Sequence, residues 1–199
     1  MTAALRLMQR ALEAQNGLAP QPSVGQFLLT SEERQRLSRS TVPEQIFVSD
    51  DPLDPQLGVF IAPEVLARLS ARVSLMDAVG LDAYCVATEG VSHFVYLAHR
   101  ASMDRQVSLL ELELQAEVDK FVHLSGLLPA GQHARLFEQL FERYALREGL
   151  DAESEGRYHA ASRAAAQFCF KLLDSGARLE RARHFFRQPL AEKLRLATL

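Results

Sequence analysis

Apolar residues recur at helical spacing along most of the chain. Leu5, Met8 and Leu12 line one face of a helix over residues 3–15, which the pair Asn16-Gly17 stops. Pro20, Pro22 and Gly25 make the next stretch a linker. Residues 1–26 therefore read as a helical arm, docked on the body or on a second copy, and residues 27–199 as one mainly helical domain. Thr30 and Glu33 have capping-box spacing ahead of a short helix over residues 32–38.

The pattern changes in residues 44–49 and 56–61, which are rich in branched and aromatic side chains and flank the Asp/Pro cluster of residues 50–55. Together they predict one β-hairpin near residues 44–61. Helical spacing resumes at Pro63 and runs to about residue 72, and Ser74 can cap a further short helix that Gly80 ends or bends. Residues 81–103 carry two signals. Val86, Thr88, Val91 and Val95 favour a strand, yet a helix gathers Asp82, Glu89, His93, Tyr96 and Arg100 on one stripe with Phe94, Leu97 and Ala98 opposite. The stripe decides for a helix, interrupted near Gly90. Ser108 and Glu111 form a second capping box, opening a helix that carries Leu110, Leu114, Val118, Phe121 and Val122. More helices are expected over residues 133–146, 152–174 (the longest, capped by Asp151), 178–186 and 189–197.

Composition adds little to this. A chain with 48% hydrophobic and 24% charged residues can bury a real core. No apolar run approaches the length of a membrane span, and residues 1–15 lack a secretory signal. Cys85 and Cys169 sit in apolar segments with no CxxC or Cys/His cluster, so they read as reduced thiols of a cytoplasmic protein.

Charge is unevenly spread. Residues 157–199 hold nine Lys or Arg against three acids, although the whole chain is net −3. Such a tail can meet phosphates or pack on its own acidic body. Phe168, Phe170, Leu172, Phe185 and Phe186 are too many large apolar groups for a free extension. The expectation is a folded tail whose Arg side chains reach acidic helices of the same or a neighbouring subunit.

Signatures of P-loop, dinucleotide, zinc-protease, serine-hydrolase and EF-hand proteins are absent from the sequence. Two Glu-x-x-x-His spacings remain, Glu89/His93 and Glu155/His159, each able to meet on one helix face. A divalent transition metal could sit on Glu89, His93, Glu117 and His159, although chance supplies this spacing readily and a surface ion pair explains it as well. Glu113, Glu117 and Lys120 fall on one helix face, which reads as solvated. Arg100, Lys120, Arg157 and Arg163 are the candidate binding cations. The leading expectation is a non-catalytic interaction or regulatory protein without cofactor, pairing with itself or another protein and not with a membrane. A metal-dependent hydrolase or oxidase is the alternative, and a nucleic-acid-associated factor using the basic tail is the third reading.

Overall fold

The chain forms α1 (Thr2–Asn16), α2 (Ser31–Leu37), β1 (Glu44–Val48), β2 (Leu57–Ile61), α3 (Pro63–Ser70) and α4 (Ala78–Ala101), then α5 (Leu109–Gly126), α6 (His133–Phe137), α7 (Ala152–Phe170), α8 (Arg178–Arg187) and α9 (Leu190–Thr198). The computed structural model describes residues 2–49, 56–71, 74–75, 77–143, 151–173 and 175–198. This is the mainly helical architecture with one antiparallel hairpin that the periodicity predicts. The strands pair from Glu44↔Ile61 to Val48↔Leu57, and the hairpin loop lies outside the described residues. Thr30 and Glu33 make the expected capping box.

Several boundaries differ. α4 runs 24 residues without a break at Gly90 and is longer than α7, which stops at Phe170. Asp77, not Ser74, caps α4, and Gly80 lies in its first turn, donating its N–H to the Asp77 carboxylate at 2.6 Å. α6 passes into a wider π turn at Glu138–Glu142 that Arg143 ends, and residues 144–146 of the expected helix lie outside the described residues. Ser108 caps α5, but Glu111 turns its carboxylate to Tyr96 instead of closing the box.

α5 is the central helix. α1, α4, α6, α7 and α8 pack round it, and every residue from Glu111 to Ser125 is buried. One apolar core joins α5, α7 and α8 through Phe121, Phe168, Leu172 and Phe185. The Phe168 and Phe185 rings stack there at 4.1 Å. A second core joins α1, the hairpin, α3 and α4 through Leu5, Leu12, Val59, Ile61, Val91 and Phe94. Each such side chain contributes about 1.5–3 kcal/mol when fully buried. Through Leu5 and Leu12, α1 docks on the body of its own chain. Among the described residues no helix is long and apolar enough to cross a membrane.

The tail folds into the core, but its cations choose unexpected partners. Arg183 donates to the carbonyls of Ala14 and Gln15 at the end of α1, at 3.0 and 2.9 Å. Lys171 donates to Leu196 and Ala197 at the end of α9, at 3.0 and 2.6 Å, and Arg178 to Leu172 and Leu173 just beyond α7. The last carbonyls of a helix lack intrahelical donors and carry partial negative charge, so they compete well with carboxylates for a guanidinium. Helix ends, rather than acidic helices, anchor the tail.

Candidate functional site in the seam between α4 and α5

A helix enclosed on every side is usually apolar all round. α5 instead carries Glu111, Glu113, Glu117, Asp119 and Lys120, all buried. The expected solvated face of Glu113, Glu117 and Lys120 does not exist. Its polar groups meet partners on α4, α1 and α9 along a polar seam, to which β1 adds Glu44.

At one end of the seam the Lys120 ammonium donates to Glu117 on its own helix at 2.6 Å and to Glu89 on α4 at 3.1 Å. Beside it the two nitrogens of His93 face different carboxylates. Nδ1 lies 3.3 Å from Glu44, and Nε2 lies 3.4 Å from Glu113. The Nε2 contact is an ion pair outside hydrogen-bond geometry, so that buried nitrogen has no hydrogen-bond partner. Glu44, the first residue of β1, passes beneath α4 at Gly90, where an added Cβ would stand 2.9 Å from the Glu44 Cγ. The His93 side chain is 4% exposed, and those of Glu44 and Glu113 are 9% exposed. Tyr158 brings α7 to the same place. Burial pushes the pKa of its phenol up, and the charges of Glu113, Glu89 and Glu44 push it further.

Burial pushes the Glu44 and Glu117 carboxyls above the ordinary glutamate range, against the opposing charges of His93 and Lys120. It also works against both cations. The surrounding carboxylates outweigh that penalty and hold His93 and Lys120 well above their usual values. Four carboxylates thus surround two cations in a space largely closed to water.

The seam continues past Asp119, which accepts from Ser92 at 2.7 Å, Gln15 at 2.9 Å and Asn16 at 3.1 Å. Burial raises its carboxyl, and the bonds from Ser92 and Asn16 partly offset the effect. At the far end Lys193 of α9 is fully buried and donates to the Tyr96 hydroxyl and to Gln115, both at 2.7 Å. Tyr96 in turn donates to Glu111 and accepts from Arg100. Arg100 also closes the end of α8 through the carbonyls of Phe186 and Gln188.

Comparison with family models, with curated proteins and with solved structures finds no match. The chemistry of the seam therefore has to come from its own geometry.

Among the candidates named from the sequence, Glu89, His93, Glu117 and Lys120 share the acidic end. His159 does not join them. It lies on the outer face of α7, 63% exposed and 3.8 Å from Glu155. Arg100 belongs to the far end of the seam. Arg157 is half-buried, with its guanidinium 5.7 Å from the centre of the Tyr158 ring, and Arg163 is exposed. Among the described residues no three His, Cys, Asp or Glu side chains are grouped to hold a metal ion. Lys120 occupies the space between Glu89 and Glu117, and the two His93 nitrogens point to opposite carboxylates. Sequence reasoning missed Glu44, Asp119, Tyr158 and Lys193. For Glu44 a usable signal was present in Gly90, a glycine inside a helical pattern that no turn required.

Proposed function

We propose that the protein acts on a small molecule carrying a positively charged group, and that the acidic end of the seam binds that group and exchanges protons with it. One observation carries this reading, the four carboxylates set round two cations at a buried place. An unmatched buried carboxylate costs several kcal/mol unless it is protonated or paired, so the arrangement adds nothing to stability by itself. Each surplus charge is met by a proton, most readily on Glu44 or Glu117, or by a bound cation. An arriving ammonium or guanidinium group displaces those protons to solvent and leaves the carboxylates able to act as general bases. His93, touching Glu44 on one side and Glu113 on the other, is the group that relays the protons. The half-buried Tyr158 phenol forms the wall supplied by α7.

The charge segregation that suggested a protein or nucleic-acid partner supports those readings less once Lys171, Arg178 and Arg183 are engaged at helix ends.

Calorimetry and thermal melting with ethylenediamine and agmatine, and with malonate as the anionic control, test the proposal. The amines should raise the melting temperature and release protons on binding, malonate should do neither, and Glu113→Gln and Glu117→Gln should abolish the amine effects. Absence of amine binding, or binding that persists undiminished in both variants, would overturn it.

A further inference from the structure

We infer that Gly90 is the positioning residue of the acidic site, its missing side chain opening the notch through which Glu44 of β1 reaches His93 on α4. Glycine is the poorest ordinary helix former, and it stands here inside the longest described helix. Its backbone gives no reason for it, since Gly17 is the glycine with positive φ among the described residues. Space does. A Cβ at position 90 would lie 2.9 Å from Glu44 Cγ and 3.3 Å from both Glu44 Oε1 and Ile61 Cδ1. Glu44 and Ile61 are the paired residues that begin the hairpin ladder, so the notch seats that rung against α4. The Ile61 methyl ends a flexible side chain and can give way. Glu44 cannot yield without leaving His93, whose Nδ1 holds its carboxylate at 3.3 Å. Helical Gly156 differs, because nothing lies within 4 Å of a Cβ built there.

The role rests on the acidic-site reading for its purpose, but its geometry can be tested separately. Melting temperatures of Gly90→Ala, Glu44→Ala and the double variant give the first readout. Alanine at position 90 should lower the melting temperature when Glu44 is present and raise it in the Glu44→Ala background, where helix propensity alone remains. The second readout is the His93 ring titration by NMR, whose midpoint in Gly90→Ala should fall in the same direction as in Glu44→Gln. If Gly90→Ala fails to fold, the double variant must still melt above Glu44→Ala. Overturning results are a Gly90→Ala protein that melts higher with Glu44 in place, an unchanged His93 midpoint, or a double variant less stable than Glu44→Ala. Amine binding that survives in Gly90→Ala while His93 shifts would count against Glu44 in the cation site and would leave the positioning role standing.

Discussion

Lys120 donates to Glu117 at 2.6 Å where the two side chains are only 8% and 10% exposed. Neither charge has water to fall back on, so each depends on the other, and Lys120 also on Glu89. Removing one partner of a buried pair costs about 3–5 kcal/mol, because the remaining charge is left uncompensated. Lys120→Met, which leaves Glu89 and Glu117 together without their cation, should lose stability of that order in urea denaturation. Glu155→Ala, at an exposed pair on α7, should lose less than about 1 kcal/mol. Equal losses at the two positions would contradict the burial of the seam.

Lys193 gives stability a pH dependence with a definite sign. Burial pushes its amine down to about 7, Glu111 and Asp119 oppose this, and Arg100 adds to it. In the unfolded chain the same amine titrates near about 10.4. Between those values the unfolded state binds a proton that the native state lacks, so this contribution rises with pH across the window. Below about pH 7 both states hold the proton, and the burden of burying it is greatest. Urea denaturation of wild type and Lys193→Met at pH 6.5, 8 and 9.5 isolates the effect. The stability of wild type relative to the variant should climb with pH, and a flat difference would mean that Lys193 stays charged in the fold.

Truncation after Ser175 removes Phe185, Phe186 and Lys193, all fully buried. The shortened chain should lose cooperative unfolding and bind a hydrophobic dye. Arg183→Ala should be far milder, costing about 1 kcal/mol for the bonds that close α1. A truncated chain that melts like the full protein would contradict the packed tail.

Much of the fold was legible because helices and hairpins write their period into local sequence. Leu5, Met8 and Leu12 announce α1, and residues 44–49 and 56–61 announce the hairpin. The site was less legible, since burial of a charge depends on partners distant in sequence. Glu89/His93 and Glu155/His159 share one spacing, yet the first pair is turned into the bundle and the second faces solvent. Their flanks differ, with Val86, Val91, Phe94 and Val95 beside the first pair and Asp151, Glu153, Arg157 and Arg163 beside the second, but they do not name the distant partners. α5 misled for the same reason. Its Glu113, Glu117 and Lys120 read as a solvated face until α1, α4, α7 and α8 arrive to enclose the helix. Gly90 was read as a breaker, whereas the helix runs through it and uses the vacant volume.

The spatial separation of His159 from His93 also bears on metal content. Protein purified without added metal should carry well under one equivalent by elemental analysis, and His159→Ala should leave that figure unchanged. A stoichiometric metal lost on His93→Ala would mean that Lys120 leaves its place between Glu89 and Glu117.

The most direct test of the central claim is the ionisation of His93, followed through its ring nitrogen signals from pH 5 to 9. Burial alone would keep this imidazole neutral, and the charges of Glu44 and Glu113, with the hydrogen bond to Glu44, reverse that outcome. The account predicts an imidazolium that persists well above the usual midpoint near about 6.5, with the midpoint falling in Glu44→Gln. His123, buried without such carboxylates and pushed down to about 4, should stay neutral through the same range as an internal reference. A His93 ring that is neutral at pH 7 would mean that the surrounding carboxyls do not carry the surplus negative charge, and the account of a cation-accepting, proton-exchanging site would fail.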